Sequence, residues 1–220
     1  MGEAVKPLGK SLEYIQKFSP EEFTALLAAH YSPWLNELRS ELEEQSLKIQ
    51  NILTGLLRAD RIFTVAAGRS ELMLRNTGMR LMHEGYDVFR VNESYTPAIG
   101  NDPNHKDTLL FYSGSGKTRL VITAEKIAFE KKVPIYGVSS NKESEAVKIA
   151  REENVIITKG KEIYPNGTVP REETQPINFL QTKSEFKSYV IGELLVSALA
   201  VARELKEEDL QIRHSNTEGL

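Results

Sequence analysis

Residues 111–120 read FYSGSGKTRL, an apolar run that enters a turn of glycine and serine and is followed by a helical pattern. In an open α/β sheet, ligands bind at the carboxyl ends of the strands. Glycines let backbone N–H groups approach a phosphate, and the start of the following helix adds a partial positive charge. The stretch therefore predicts an anion-binding loop, with an ordinary strand-to-helix turn as the alternative. The residues that would contribute hydroxyl or backbone donors are Ser113, Gly114, Ser115, Gly116 and Thr118.

The same loop contains Gly116-Lys117-Thr118, which also ends the phosphate loop of many nucleotide-binding proteins. That motif requires a glycine five residues before Gly116, and Phe111 stands there instead. A large aromatic side chain cannot replace the glycine that opens a triphosphate cradle. No GxGxxG sequence follows a predicted strand, so a dinucleotide-binding fold has no support either.

Strand-like and helical patterns alternate around this loop. Short apolar runs rich in β-forming residues occupy residues 61–68, 86–91, 108–112, 133–139 and 155–158. Helical patterns cover residues 70–84 and 185–205, and others start near residues 117 and 144. This alternation predicts a mainly parallel sheet covered by helices on both faces. The polar stretch 160–184 is too long for a simple connection, so it is functional, mobile or evidence against the elements beside it.

Two helices are predicted before the first strand. Ser19-Pro20 and Ser32-Pro33 each place a capping residue before a proline, which is a typical helix start. Leucine and isoleucine recur at helical spacing after Pro33, so the second helix is predicted over residues 33–58. The sequence therefore suggests a helical arm, residues 1–58, ahead of an α/β domain, residues 59–220.

The apolar face of this arm is larger than one small sheet can cover. Its members include Trp34, Leu35, Leu38 and Leu42. Such a face usually finds a partner chain, so we expect a dimer or tetramer with the active site close to a subunit boundary.

Composition excludes several classes of protein. Apolar residues make up 40% of the 220 residues, which supports a folded core. The net charge of -3, without a block of lysine and arginine, gives no sign of a nucleic-acid partner. No apolar run approaches the ~20 residues that cross a bilayer, and the first residues lack an apolar signal core. The chain has no cysteine, which excludes disulfides and thiolate metal sites and fits a cytoplasmic protein.

Three blocks together resemble sugar isomerase (SIS) domains of the 6-phospho-3-hexuloisomerase type. The first is AAGRSELMLRNTGMRLMHEGYDVFRV, residues 66–91. The second is Asn92-Glu-Ser-Tyr-Thr-Pro97 followed by the SGSG loop, and the third is Asp209-Leu-Gln-Ile-Arg-His-Ser215. The blocks keep the order and approximate spacing of the family.

The resemblance implies a three-layer α/β/α sandwich with a five-stranded parallel sheet, preceded by N-terminal helices. It also implies a homo-oligomer that binds a phosphorylated sugar and interconverts 3-hexulose 6-phosphate and fructose 6-phosphate through a cis-enediol. No metal or other cofactor takes part in that reaction. The alternative is a non-catalytic SIS module that only binds the phosphosugar.

Specific roles follow from matching motif positions. The resemblance places the phosphate on Ser113, Ser115 and Thr118. It assigns the substrate-binding edge that faces them to Gly68, Arg69, Ser70 and Ser94.

The matching catalytic positions are Glu185 as carbon base, after Thr182, and His214 or His83 as acid and base for the oxygens. Each of these three residues also has a purely structural interpretation. Thr182-x-x-Glu185 is also a helix capping box, His83 suits the C-terminal end of a helix, and His214 in a polar tail would ordinarily be a surface residue.

The chain departs from the family pattern at three places. Lys117 replaces the glutamate of the usual SGSGET, Phe179-Leu-Gln-Thr182 replaces Pro-Leu-Gly-Thr, and residues 101–106 look like an insertion. The first two departures favour the non-catalytic module, whereas the retained Glu185 and His214 favour the enzyme.

Overall fold

A computed structural model describes residues 19–160 and 182–214 of the chain. The helices are α1 (Pro20–Glu44), α2 (Ser46–Leu57), α3 (Arg69–His83), α4 (Arg119–Glu130), α5 (Glu145–Ala150), α6 (Thr182–Ala202) and α7 (Glu207–Gln211). The strands are β1 (Arg61–Val65), β2 (Asp87–Arg90), β3 (Asp107–Ser113), β4 (Ile135–Ser139) and β5 (Val155–Ile157). Most of the predicted loop over 160–184 lies outside the described residues, as does Ser215 of the third sequence block.

The five strands form one parallel sheet in the order β2-β1-β3-β4-β5. Strand β3 is central, with Arg61 of β1 opposite Asp107 and Ile135 of β4 opposite Leu109. The predicted parallel sheet is therefore confirmed, and each predicted strand differs from the observed one by only a few terminal residues.

The sheet separates two apolar cores, which accounts for the three layers. Alternate side chains of β3 point to opposite faces, so Leu110 and Tyr112 join one core while Leu109 and Phe111 join the other. The first core is closed by residues of α1, α2, α3 and α6, among them Leu38, Ile52, Leu74, Ile191 and Leu195. The second is closed by residues of α4 and α5, among them Val121, Ala124, Ala128, Ala146 and Val147.

The N-terminal helices differ from the prediction in where they divide. Pro33 lies inside α1 instead of starting a helix, and the break comes at Gln45. Proline removes one backbone N–H from an interior turn, and here the helix continues across that loss. The side-chain amide of Gln45 explains the break, because it pairs with both the N–H and the C=O of Ile157, at 2.8 Å each.

Most of the apolar face expected to meet a second copy is covered by the chain itself. Trp34 and Leu38 are buried, and Leu42 packs against the first core. Leu35 remains about half exposed. This face is therefore not free to meet a second copy, contrary to the sequence prediction, because α1 packs on α6 within the same chain.

The C-terminal end also departs from the prediction. Helix α6 runs over Thr182–Ala202, and the short α7 follows within the third sequence block. The Lys206 N–H donates to the Asp209 carboxylate at 2.8 Å and so closes the first turn of α7. Within the described ranges no helix has both the length and the apolar character needed to cross a membrane.

Glu125 on α4 is fully buried, and neither of its carboxylate oxygens has a hydrogen-bond partner among the described residues. Burial, with a smaller contribution from the Glu145 carboxylate, raises the pKa of Glu125 from 4.5 to about 8. The folded state thus holds this proton more tightly than the unfolded chain does. Stability from this group is greatest below about pH 4.5 and is lost as the pH rises through 8.

We therefore expect Glu125→Gln to reduce the loss of stability between pH 5 and pH 8 by on the order of 3 kcal/mol. Denaturant unfolding at both pH values measures this difference. Glu130→Gln, at an exposed position on the same helix, serves as the control and should leave the pH dependence unchanged. Equal pH dependence in the wild type and Glu125→Gln would contradict the prediction.

Candidate functional site

The loop between β3 and α4 brings several hydroxyl groups together. The Ser113 hydroxyl accepts a hydrogen bond from the Gly116 N–H at 3.1 Å and lies 3.2 Å from the Thr118 hydroxyl. The Ser115 hydroxyl accepts from the Lys117 N–H at 3.3 Å. The hydroxyl groups are therefore held by the turn itself, before any ligand is bound.

The same loop leaves backbone donors available. In the described part of the chain, the N–H groups of Ser115 and Thr118 donate to no acceptor. Thr118 precedes α4 without making a side-chain cap, so the first N–H groups of that helix also lack this partner. Donors of this kind at a helix N-terminus suit an anion, and anion binding by this loop stays a prediction.

Gly116 is fixed by two independent constraints. Its φ of +60° is in the left-handed region, and a Cβ atom there would lie 1.9 Å from the Ser144 hydroxyl oxygen. Ser144 in turn caps α5 by accepting from the Val147 N–H at 3.4 Å. The loop can therefore approach α5 this closely only with glycine at position 116.

The end of β4 holds the loop from the other side. The Ser139 hydroxyl donates to the Ser113 carbonyl at 2.9 Å, the Ser140 N–H to the Gly114 carbonyl at 3.2 Å and the Asn141 amide to the Ser115 carbonyl at 3.2 Å. These bonds occupy three carbonyl oxygens of the loop, which would otherwise repel an anion.

These three residues were missed in the sequence prediction. The signal was present, because Ser139-Ser140-Asn141 directly follows an apolar strand whose carboxyl end lies at the ligand edge of a parallel sheet.

The start of α6 lies beside the loop. The Ser184 hydroxyl is 2.9 Å from that of Ser140, which also lies 2.9 Å from the Thr158 hydroxyl. Gly160 allows the contact, since a Cβ atom there would be 3.0 Å from the Ser184 backbone. Glu185, the next residue, is thereby placed at the same edge of the sheet as the anion loop.

Arg69 joins the start of α3 to the start of α6. Its guanidinium lies 3.1 Å from the Glu185 carboxylate and donates to the Thr182 hydroxyl at 3.2 Å. Gly68 precedes it with φ +61° and ψ −135°, a backbone conformation that favours glycine. Ser70 is partly buried in the first turn of α3. Four of the predicted residues therefore cluster here: Gly68, Arg69, Ser70 and Glu185.

Ser94 lies at the same edge of the sheet but on its outer side. It follows β2, the edge strand, and its side chain is exposed. Neighbouring Glu93 forms an ion pair with Arg90, while Arg69 pairs with Glu185.

The two histidines lie at the opposite edge of the sheet. Their rings stack with centroids 4.9 Å apart, so His83 and His214 are brought together. His83 ends α3, whose 15 residues span about 20 Å from Arg69. Strand β2 begins shortly afterwards at Asp87, which lies opposite Arg61, the first residue of β1. Within one chain, these histidines therefore lie about the length of α3 away from Glu185, because α3 runs antiparallel to the strands.

No group of three or more acidic or histidine side chains among residues 19–160 and 182–214 is arranged to hold a metal ion. The described site consists of hydroxyls, amides, one Arg–Glu pair and the exposed Lys117. Such groups can bind a phosphate and accept or donate a proton.

No protein-family model matches the chain. The chain is similar to the 3-hexulose-6-phosphate isomerase of Mycobacterium gastri, with 28% identity over 189 residues, which cover 84% of this chain and 89% of that protein.

Two solved structures share the fold. One is a hypothetical protein from Methanococcus jannaschii, whose structure was interpreted as that of a 3-hexulose-6-phosphate isomerase; the TM-score is 0.62 at 23% identity, over 83% of this chain and 97% of that one. The other is the sugar isomerase domain of an RpiR transcription factor from Sphaerobacter thermophilus, with a TM-score of 0.63 at 18% identity, over 89% and 99% of the two chains. The chain therefore has the fold of sugar isomerase domains.

We expect Gly116→Ala to destabilise the protein by at least ~1 kcal/mol, because alanine combines an unfavourable φ with the contact to Ser144. Thermal unfolding measures the effect. Gly78→Ala is the matched control: it lies inside α3, where the nearest atom to the added Cβ is 3.4 Å away, so it should be neutral or stabilising. A Gly116→Ala variant as stable as the wild type would show that the loop can relax away from α5.

Proposed function

We propose that this protein is a phosphosugar isomerase that interconverts 3-hexulose 6-phosphate and fructose 6-phosphate. The proposal rests mainly on one observation, a carboxylate beside a loop of uncharged donors at the carboxyl edge of the sheet. The similarity to a protein named 3-hexulose-6-phosphate isomerase supports it.

In this proposal the loop binds the phosphate of the sugar. Ser113, Ser115 and Thr118 offer hydroxyls, and the unused N–H groups of the loop and of the first turn of α4 add donors with partial positive charge. Hydroxyl and amide donors suit a phosphate monoester, whose charge is small enough to be held without a metal. Gly68, Arg69, Ser70 and Ser94 line the edge that would contact the rest of the sugar.

Glu185 is the proposed carbon base. In 3-hexulose 6-phosphate the carbonyl is at C3, so the carboxylate takes the proton from C2, which gives a cis-enediol across C2 and C3. The same group returns the proton to C3, while the hydroxyl at C2 loses its proton and becomes the new carbonyl. Arg69 holds the carboxylate 3.1 Å away, and this fixed position is what a general base requires. The reaction moves protons only, so it uses no redox cofactor.

The protons on the C2 and C3 oxygens of the sugar must be moved by a second acid–base group. The histidines of the same chain lie at the far edge of the sheet. We propose that the protein is a homo-oligomer, a dimer or tetramer, in which a neighbouring chain brings His83 or His214 to the site. An apolar surface on α3 and α6 supports such an assembly. Its exposed members include Leu72, Met79, Leu194 and Val201.

A non-catalytic phosphosugar-binding module is the second candidate. Lys117 is exposed in the anion loop, where the resemblance implies a glutamate, and one protein of the same fold is a transcription factor. Such a module would bind the same ligand without turnover.

The test for the enzyme is NMR of fructose 6-phosphate in D2O, where enediol formation exchanges carbon-bound protons. We expect Glu185→Gln to lower turnover at least ~100-fold, the lower end of a general base's contribution, with phosphosugar affinity and melting temperature little changed. Glutamine keeps the shape and the capping ability of the side chain. Glu193→Gln, two turns further along α6, should turn over normally.

The alternatives give different results in the same set of variants. If Glu185 is only a helix cap, Glu185→Gln keeps full turnover while Glu185→Ala loses stability. If the protein is a binding module, the wild type raises its melting temperature with fructose 6-phosphate but shows no exchange.

Light scattering at micromolar concentration should give a dimer or tetramer. Leu194→Asp places a charge within the apolar surface on α3 and α6 and should shift the mass towards the monomer. Leu47→Asp, at an exposed leucine on α2, is the control and should leave the mass unchanged. A monomeric wild type would contradict the proposed assembly.

A further inference from the structure

Lys187 is a fully buried lysine two residues after Glu185. Its amino group lies 2.7 Å from the Glu41 carboxylate and 2.9 Å from that of Glu37, both on α1. Glu41 is itself only 5% exposed. An ion pair this deeply buried commonly gives no more stability than apolar side chains of the same volume. Stability alone therefore does not account for this buried ion pair two residues from the proposed base.

The contacts of α1 fall on both sides of Glu185 along the helix. Lys183 pairs with Glu37, and the Phe186 ring lies 5.8 Å from that of Trp34 and 5.5 Å from that of Tyr31. Residues 183, 186 and 187 share one face of a helix, since they are three and four positions apart. Glu185 lies on another face and pairs with Arg69 of α3.

Helix α1 is in turn attached to the sheet. The Glu41 carboxylate oxygen that contacts Lys187 also accepts the N–H of Lys159 at 2.9 Å, just beyond β5. One turn later, Gln45 pairs with the backbone of Ile157 at the edge of the sheet. A continuous set of hydrogen bonds therefore runs from β5 through α1 to the first turns of α6.

We infer that Lys187 is a positioning residue. Its buried pair with Glu41 holds the first turns of α6 against α1, so that Glu185 stays beside the anion loop. This rests on the proposed function for its catalytic consequence. The described side-chain hydrogen bonds of Lys187 and Glu41 go to each other, to Glu37 and to the Lys159 N–H, and none of these groups belongs to the loop between β3 and α4. We therefore expect the positioning to affect proton transfer more than phosphate binding.

Lys187→Met removes the charge and keeps most of the side-chain volume. We expect kcat to fall at least ~10-fold with KM within about twofold, because small displacements of a reacting group reduce the rate of the chemical step. Hydrogen exchange of the amides of residues 185–190 should become faster. Arg61→Met, the matched control, breaks a second buried ion pair, with Asp107 at the opposite edge of the sheet, and should lower the melting temperature while kcat and α6 exchange stay unchanged.

A double variant separates positioning from stability. Lys187→Met with Glu41→Met replaces the ion pair by apolar side chains, which should bring the melting temperature back towards that of the wild type. Because the carboxylate that links α6 to the Lys159 N–H is gone, kcat should remain low. If kcat recovers together with the melting temperature, Lys187 is only structural and the inference is overturned.

The exchange measurement keeps this inference separate from the proposed isomerase. If the wild type turns over no phosphosugar, the proposed function fails, and the exchange of residues 185–190 in Lys187→Met decides the positioning alone. Exchange that stays at the wild-type rate overturns it. Faster exchange in an active variant whose kcat is unchanged also overturns it.

Discussion

The structure depends on strand β3, which is buried from Asp107 to Ser113 and pairs in parallel on both sides. Since the neighbouring strands run in the same direction, all their carboxyl ends meet at one edge. Each chain segment that leaves this edge must either start a helix or turn sharply. The positive φ of Gly68 and Gly116 meets that requirement at the ends of β1 and β3. The candidate site is a direct result of this arrangement.

The site itself is built from segments that are far apart in the sequence. The anion loop follows β3, and Arg69 follows β1. Ser139 ends β4 and Ser140 comes next, while Glu185 belongs to α6. The loop carbonyls are occupied by donors from the end of β4, while the N–H groups of Ser115 and Thr118 are left for a ligand. This division of donors and acceptors explains how hydroxyl and backbone N–H groups at this edge can favour a phosphate.

The opposite edge of the sheet has a different chemistry. His83 and His214 stack there, next to Glu84, whose pKa burial raises to about 7 against the opposing effect of Arg203 and Arg80. The length of α3 separates these groups from the anion loop. A reaction that uses both edges therefore requires two chains, which connects the proposed chemistry to the proposed assembly.

The sequence alone determined the sheet, its parallel sense and the glycine-serine turn after β3, because hydrophobic period and glycine turns act over a few residues. It also indicated Glu185 through a local motif. It did not reveal that α1 continues through Pro33, that α1 covers its own apolar face, or that Lys187 pairs with Glu41, 146 residues away. The positions of the histidines relative to Glu185 were likewise decided by the direction in which α3 packs. Contacts of this kind depend on how complete helices and strands pack against one another, and a local sequence pattern does not contain that information.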